Sequence, residues 1–262
     1  IPLRLQAGGN RLTSVWVNSG SECCLELKPL DTATTHINTS ITNLYIGETY
    51  GGLATKAILK IEGLPTQRVQ QVQISNSHLV GAASEGLRSN YGIVVDYCDD
   101  LVISNLAMLG NAPHTDTNRL LVGLWANNCN GLNIQGGAWR QVASNPVILG
   151  TAVNNFMING VQFIGWGNQG DVSGEFAAAI RILDSGNAGS VVGCSFDDPA
   201  SSPNPYAMHG GNSALIQFEK NLYRVNNSTI WVPSAGKLTG SFKRVGDPAN
   251  RHYLMAVEGS AW

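Results

Sequence analysis

The chain has 262 residues and a formal net charge of −2, and only 13% of its residues are charged. Because it has no Lys/Arg run and no apolar stretch of about 18 residues, we expect no nucleic acid, anionic membrane surface or membrane insertion among its partners. Its 30 glycines are typical of a turn-rich β protein and oppose disorder.

A short phrase recurs seven times along the chain. Each copy has a β-branched residue, one spacer and an Asn or Gly, and a bulky apolar residue follows three positions later. The copies are Ile41 and Asn43 with Ile46, Ile74 and Asn76 with Leu79, Ile103 and Asn105 with Met108, Ile134 and Gly136 with Trp139, Ile158 and Gly160 with Phe163, Val191 and Gly193 with Phe196, and Val225 and Asn227 with Ile230. The Asn/Gly positions are 33, 29, 31, 24, 33 and 34 residues apart, which indicates stacked repeats.

A second column runs in phase with this phrase. Apolar residues recur four and two positions before the Asn or Gly, and this alternation predicts short strands rather than amphipathic helices. Asn and Gly accept a left-handed backbone at little cost, so their column predicts a corner. Six positions before the corner lies a file of amide and carboxylate side chains, expected to stack from coil to coil: Asp99, Asn130, Asn154, Asn187 and Asn221.

Strands, corners and variable loops in coils of roughly 30 residues predict an all-β fold, a parallel β-helix of about seven or more coils. A β-sandwich is the alternative, but accidental matches would not keep two columns in phase. We expect the β-helix to span residues 1–230. Residues 231–262, which begin at Trp231 and leave the register, are expected to cap the last coil or to mediate oligomerisation.

On the repeated phrase and the Asn file, over about residues 36–230, the chain resembles the right-handed parallel β-helix proteins of the pectate-lyase-like superfamily. Within that group it is most similar to bacteriophage tailspikes and polysaccharide depolymerases. The resemblance implies a homotrimer located at a virion tail or outside the cell. The chain opens at Ile1 without Met or a secretion signal, so we expect it to be a fragment that lacks its N-terminal part.

Several predicted strands are apolar at both alternations, as strands buried on both faces are. We expect an outward file of Ile93, Leu124, Ile148, Arg181 and Leu215. A long apolar stripe on a rod indicates association and is compatible with a trimer. The alternative is that the loops of the same chain cover the stripe.

The five cysteines do not form a disulfide framework, because their number is odd and small. Cys98 and Cys129 occupy one register position on successive coils, and we expect them to be stacked, reduced thiols rather than a disulfide. No Cys or His spacing fits a metal site. We therefore predict neither a metal nor a cofactor.

Polar loops follow the bulky residue on successive coils, at residues 80–91, 109–120, 140–146, 164–177 and 197–213. Loops on a rigid scaffold are the usual place for function. Hydrolysis of a glycosidic bond requires two carboxyl groups, one as acid and one as base or nucleophile. We expect this pair to be Asp171 or Glu175 from one loop with Asp197 or Asp198 from the next. Solvated surface carboxylates are the alternative.

Other loop residues suit the binding of a hydroxyl-rich chain. Trp166, between two glycines, is the candidate platform for a sugar ring, and the remaining candidate contacts are Arg140, His209, Tyr206 and Asp116. Elimination at a uronic acid is the alternative chemistry, with Arg140, His209 or Tyr206 as proton carriers. Trp139 and Trp125 are expected to be buried. The doublet Asp99–Asp100 is assigned a structural role, because Asp99 belongs to the Asn file.

These observations favour a trimeric, tailspike-like protein that binds a bacterial surface polysaccharide and cleaves it as a glycosidase or lyase. A non-catalytic β-helical adhesin or tail-fibre shaft is the second hypothesis. A monomeric secreted polysaccharide lyase or hydrolase is the third. The sequence lacks the ordered motifs of plant-pectin hydrolases, which argues against a polygalacturonase.

Overall fold

The computed structural model describes residues 3–6, 8–20, 23–30, 36–49, 57–81, 91–110, 120–167, 178–184, 186–197, 206–209, 215–224, 230–231, 237–244 and 252–258. All regular elements within these ranges are β-strands. Over the same residues, no helix has the length and apolar character needed to cross a membrane. The predicted all-β class is confirmed.

The chain winds into coils with three faces, and each face is a stack of parallel strands. The strands of the first face are Leu3–Leu5, Leu25–Leu27, Ala57–Glu62, the first part of Tyr91–Ser104, Val122–Asn130, Asn145–Leu149, Ala178–Ile182, Tyr206–His209 and Ile230–Trp231.

The strands of the second face are Arg11–Thr13, His36–Thr42, Val69–Ser75, the second part of Tyr91–Ser104, Asn133–Gln135, Val153–Asn159, Ala188–Val192 and the first part of Leu215–Arg224. Those of the third face are Trp16–Gly20, Tyr45–Thr49, His78–Val80, Ala107–Leu109, Ala138–Val142, Gln162–Trp166, Ser195–Asp197 and the end of Leu215–Arg224. This arrangement confirms the parallel β-helix.

The stack continues past residue 230. Lys237–Arg244 pairs in parallel with Leu215–Arg224, and His252–Glu258 then pairs with Lys237–Arg244 in antiparallel orientation. The parallel winding therefore ends at an antiparallel strand. A capping or oligomerising role for residues 231–262 stays a prediction.

The corner between the second and third faces has the predicted left-handed backbone. Its φ angles are 52° at Asn43, 48° at Asn76, 50° at Asn105, 62° at Gly136, 66° at Gly160 and 64° at Gly193. Asn105 also donates a hydrogen bond from Nδ2 to Oδ1 of Asn76, at 3.2 Å. In these six coils the repeated phrase is thus a turn that one amide-bearing or side-chain-free residue makes.

The seventh copy of the phrase is assigned differently by the structure. Phe218, not Val225, pairs with Val191, and the left-handed corner residue is Lys220, with φ 54°. Ile230 pairs with Met208 on the first face, whereas Val225 and Asn227 lie outside the described residues. A chance match of three apolar and amide residues produced the wrong register.

The interior is filled by apolar files that run along the axis. One file consists of Ile41, Ile74, Ile103, Ile134, Ile158, Val191 and Phe218, all buried. On the third face, Trp139 is fully buried as predicted, and the rings of Phe163 and Phe196 stack at a centroid distance of 5.3 Å. The ring of Phe218, from the second face, stacks on Phe196 at 5.9 Å. Each coil thereby buries the apolar face of its neighbours.

The predicted Asn file divides into two groups. Asp99, Asn130 and Asn154 pair in register on the outside, but the register then shifts and Asn154 pairs with Ala188. Asn187 and Asn221 are buried instead, each only 1% exposed. The irregularity after Asn154 turns Asn187 inward. Asn221 instead follows the left-handed residue Lys220, so it belonged to the predicted file only through the misplaced seventh copy of the phrase. Both buried amides bond to the backbone.

Candidate functional site

The long loops all leave the coil at one edge. Each connects a strand of the third face to the next strand of the first face, as between Ala107–Leu109 and Val122–Asn130, or between Gln162–Trp166 and Ala178–Ile182. Because these strands stack in register, the loop ends lie along one line parallel to the axis. The candidate site is this edge, called here the loop edge, and the outer faces on its two sides.

Four of the predicted site residues lie outside the described residues: Asp116, Asp171, Glu175 and Asp198. Their loops are bounded by described strands. The loop that contains Asp171 and Glu175 ends where Ala178–Ile182 begins, and the loop that contains Asp198 ends where Tyr206–His209 begins. These two strands are parallel neighbours on the first face. The pairing of the carboxyl groups stays a prediction.

Arg140 and Asp197 lie on the outer surface of the third face, beside the loop edge. Ile164 pairs with both of them, so they occupy one file at a separation of two coils, or about 10 Å. Arg140 is exposed and Asp197 is partly buried. The file brings a cation and a carboxylate to one surface, as expected for residues that contact a polar chain.

Trp166 is not a sugar platform. It is the last residue of the strand Gln162–Trp166 rather than part of a loop, and it is fully buried. Its ring packs edge-on against Phe196 at a centroid distance of 6.3 Å. The flanking glycines suggested a loop, but Gly165 lies within the strand with a φ of 62°, and the indole fills the interior.

The outer file of the first face is charged at its start, apolar in its middle and polar again towards its end. In register it runs Arg4, Glu26, Lys60, Val94, Trp125, Ile148, Arg181 and His209. Arg4 and Glu26 form an ion pair at its start. The sequence prediction for this file was partly wrong, since Ile93 and Leu124 lie in the interior and Leu215 belongs to the second face. Only Ile148 and Arg181 were placed correctly.

The apolar section of this file is covered within the chain. Ile148 is only 2% exposed and packs with Leu121, Val122 and Ala143, and Trp125 packs against this cluster. The rings of Tyr91 and Trp125 meet edge-on at 5.6 Å. Ile148 of the predicted association stripe is therefore covered by residues next to the loop edge, whereas Leu215, which is 56% exposed, lies on the second face.

Arg181 and His209 are register neighbours on adjacent coils, and both are buried, with exposed fractions of 4% and 8%. Burial, and then the positive charge of Arg181, lower the pKa of His209 to about 4. Burial also lowers the pKa of Arg181. At neutral pH the pair is therefore an uncharged imidazole beside a buried guanidinium.

The burial of His209 does not fit its predicted direct contact with a polysaccharide. The imidazole lies beneath the surface rather than on it. Tyr206 begins the same strand and pairs with Ala178, which places its backbone next to the end of the loop 168–177. Its predicted contact with substrate stays a prediction.

Sequence reasoning missed a polar groove on the outer surface of the second face. A second left-handed column bends this face at Asn38, Gln71, Asp100, Gly131 and Asn155, with φ of 60°, 56°, 56°, 76° and 52°. The groove has a volume of about 430 Å³ and is lined by Asn38, Thr39, Ser40, Gln71, Gln73, Asp100 and Val102. The sequence did contain a signal for this bend, because each of these left-handed residues lies five positions before the Asn or Gly of the repeated phrase.

The groove is suited to hydrogen bonding rather than to acid–base chemistry. Amides and hydroxyls both donate and accept, which matches a hydroxyl-rich ligand. Asp100 is the one carboxylate among the residues that line it. Over the described part of the chain, no group of three His, Cys, Asp or Glu side chains is arranged to hold a metal ion.

The fold defines the chain as a parallel β-helix, and comparison with solved structures agrees. The enzymatically active domain of tailspike protein 2 from bacteriophage CBA120 superposes with a TM-score of 0.56 and 13% identity, over 94% of this chain and 40% of that one. The N-terminal fragment of bacteriophage phi29 gene product 12 superposes with a TM-score of 0.50 and 12% identity, over 97% of this chain and 48% of that one.

The chain thus spans less than half the length of these two structures. At such identities the likeness shows the fold alone. No family model matches the sequence, and no curated protein matches it.

Proposed function

We propose that the chain is the β-helical part of a tailspike-like protein that binds a bacterial surface polysaccharide and cleaves it. The protein would act as a homotrimer at a virion tail or outside the cell. The proposal combines the shared fold with a loop edge that presents polar residues along one side of a rigid rod.

The observation that carries the proposal is the placement of the loops. The loops with Asp171, Glu175 and Asp198 enter neighbouring strands of the first face, and Asp197 ends a strand at the same edge. Adjacent coils are about 4.8 Å apart. Carboxyl groups on adjacent coils therefore suit the separations of about 5–10 Å that glycoside hydrolysis uses.

In the proposed reaction, one protonated carboxyl group donates its proton to the glycosidic oxygen as the C–O bond breaks. The second, ionised carboxylate attacks the anomeric carbon or removes a proton from the attacking water. Exposed Arg140 would bind hydroxyl or carboxylate groups of the sugar chain. Elimination at a uronic acid is the alternative, with Arg140 or Tyr206 as the proton carrier.

Incubation of the protein with capsular and O-antigen polysaccharides tests this function. A reducing-end assay detects hydrolysis, and absorbance of unsaturated uronates detects elimination. We expect Glu175→Gln or Asp197→Asn to lower the rate at least about 100-fold while the circular dichroism spectrum stays unchanged.

The matched control is Glu62→Gln. Glu62 is a partly buried carboxylate on the first face, 3.6 Å from Lys60 and several coils from Asp197. The variant should keep the wild-type rate. Equal rates in all three variants would show that the carboxyl assignment is wrong. A monomer in light scattering would instead favour a secreted lyase or hydrolase over a trimeric tailspike.

A non-catalytic β-helical adhesin or shaft is the second candidate function, and the polar groove of the second face favours it. Its lining offers amides and hydroxyls from three successive coils but only one carboxylate. Binding to a polysaccharide without release of reducing ends or unsaturated uronates would support this function over cleavage.

A further inference from the structure

Three successive coils present the same outward triad at the corner between the second and third faces. Each triad is a hydroxyl residue, a left-handed corner residue and, two positions later, an aromatic residue. The triads are Thr13, Ser14 and Trp16; Thr42, Asn43 and Tyr45; and Ser75, Asn76 and His78. Thr13 pairs with Thr42 and Thr42 with Ser75, and likewise Trp16 pairs with Tyr45 and Tyr45 with His78.

The three rings form a continuous exposed file. Trp16 is 73% exposed, Tyr45 is 38% exposed and His78 is also exposed. Trp16 meets Tyr45 edge-on at a centroid distance of 5.1 Å, and Tyr45 stacks on His78 at 6.5 Å. Exposed apolar residues scattered singly are ordinary, whereas large side chains aligned on consecutive coils indicate a binding surface.

The polar members of the triads also form ladders. The hydroxyls of Thr42 and Ser75 are 3.2 Å apart, and Asn105 continues the corner amides with its hydrogen bond to Asn76. On the next two coils the ring position is occupied by Ala107 and Ala138. The rings therefore stand as a ridge between a strip of hydroxyls and amides and a floor of small side chains.

We propose that this ridge, Trp16, Tyr45 and His78, is a binding site for a neutral carbohydrate chain. The faces of sugar rings carry C–H groups that pack against the negative face of an aromatic ring. Sugar hydroxyls at the ring edge would exchange hydrogen bonds with the Thr, Ser and Asn ladders. The triads contain no Asp, Glu, Lys or Arg, which matches an uncharged chain better than an acidic one.

The size of the ridge opposes a second protein as its occupant. An aromatic side chain buries about 150–250 Å² when covered completely, and Trp16 and Tyr45 are only 73% and 38% exposed. The ridge therefore offers a few hundred Å² at most, well below the roughly 800 Å² per partner of a stable interface.

The inference rests on the proposed function and deepens it. The ridge would bind the polysaccharide at coils distant from the part of the loop edge where cleavage is proposed. The two sites lie on the third face but at different coils: Trp16 begins the file that continues through Ala138 and Gln162 to Ser195, next to Asp197. A bound chain that runs along the axis would contact both.

Affinity electrophoresis in gels that contain a soluble glucan, galactan or mannan tests the ridge. We expect at least one neutral polysaccharide to retard the wild type. The Trp16→Ala/Tyr45→Ala variant should bind it 10-fold or more weakly, whereas Trp16→Phe/Tyr45→Phe, which keeps both rings, should stay within about threefold of the wild type. The matched control is Leu30→Ala, which removes a 59% exposed side chain just after the first-face strand Leu25–Leu27, away from the ridge, and should leave binding unchanged.

The outcomes separate this inference from the proposed function. If the wild type cleaves a polysaccharide and the alanine variant binds and cleaves as well as the wild type, the ridge is not a carbohydrate site and the proposed function stands. Retardation by acidic polysaccharides alone, or a changed oligomeric state in light scattering of the alanine variant, would also overturn the inference. A wild type that neither binds nor cleaves any polysaccharide contradicts both.

Discussion

The guanidinium of Arg68 donates two hydrogen bonds to the carboxylate of Asp99, from Nε at 2.6 Å and from Nη2 at 2.8 Å. Asp99 lies one coil beyond Arg68 and pairs with Gln70, so this ion pair ties adjacent coils together. Arg68 also donates to the carbonyl of Asn128 and lies 5.8 Å from the ring centre of Tyr97. The structural role predicted for Asp99 is confirmed.

Arg68→Ala should destabilise the protein. The variant leaves the partly buried carboxylate of Asp99 and the Asn128 carbonyl without their donor, and we expect the free energy of unfolding to fall by about 1–2 kcal/mol. Lys60→Ala is the control, because its pair with Glu62 is longer, at 3.6 Å, and should cost at most about 0.5 kcal/mol. Urea denaturation measures both, and equal losses would contradict the prediction.

Asn187→Ala should lower the free energy of unfolding more than Arg68→Ala does. The Asn187 side chain accepts a hydrogen bond from the Val153 N–H at 2.8 Å and donates to the carbonyls of Leu149 and Gly150 at 3.2 and 2.7 Å. Alanine leaves these buried backbone groups unsatisfied, so we expect a loss of about 2–4 kcal/mol in the free energy of unfolding. Exposed Asn154→Ala should cost about 0.5 kcal/mol or less, and a similar cost at both positions would show that the buried amide is not structural.

The five cysteines should be unreactive in the folded protein. All are buried and free, and Cys98 pairs in register with Cys129 as predicted. Burial raises the pKa of Cys129 to about 12 and also raises the pKa of Cys98, so little thiolate forms at pH 8. Ellman's reagent should label no thiol until denaturant is added. Asn130→Cys, at the exposed position beside Cys129, is the positive control, and rapid labelling of the wild type would refute the prediction.

Stability should fall between about pH 6.5 and pH 4. The folded pKa of His209 is lowered to about 4 from 6.5, so within this window the unfolded chain binds more protons and the free energy of unfolding rises with pH. The contribution is complete above pH 6.5 and is lost as the pH falls towards 4. The contribution is at most about 3.5 kcal/mol, because the pKa of His209 falls from 6.5 to about 4 and each pKa unit corresponds to about 1.4 kcal/mol.

His209→Gln should flatten this pH dependence. The slope that remains comes in part from His36, whose pKa is also lowered by burial. Chemical denaturation at several pH values compares the two proteins. Parallel curves for wild type and variant would exclude His209 as a source of the slope.

The loop edge was predictable from the sequence, because a bulky inward residue is second in each third-face strand and, in most coils, a polar loop follows the strand. The contents of the edge were less predictable. Arg140 was placed correctly on the outside, but His209 and Trp166 are buried. Whether a side chain near a strand end faces solvent depends on which loop folds over it, and no local pattern records that.

The sequence by itself determined that the backbone winds in coils, because each corner needs a left-handed residue and each coil needs apolar side chains at fixed offsets from it. Only the tertiary structure decided which side chains face inward. One irregularity, between Asn154 and Phe156, shifts the register, and Asn187 becomes an inner amide. In the last copy the corner moves from Asn227 to Lys220. Strand side chains alternate with a period of two, so a shift of one residue exchanges inside and outside. Pairing with the neighbouring coil decides which of the two alternating sets of side chains faces inward.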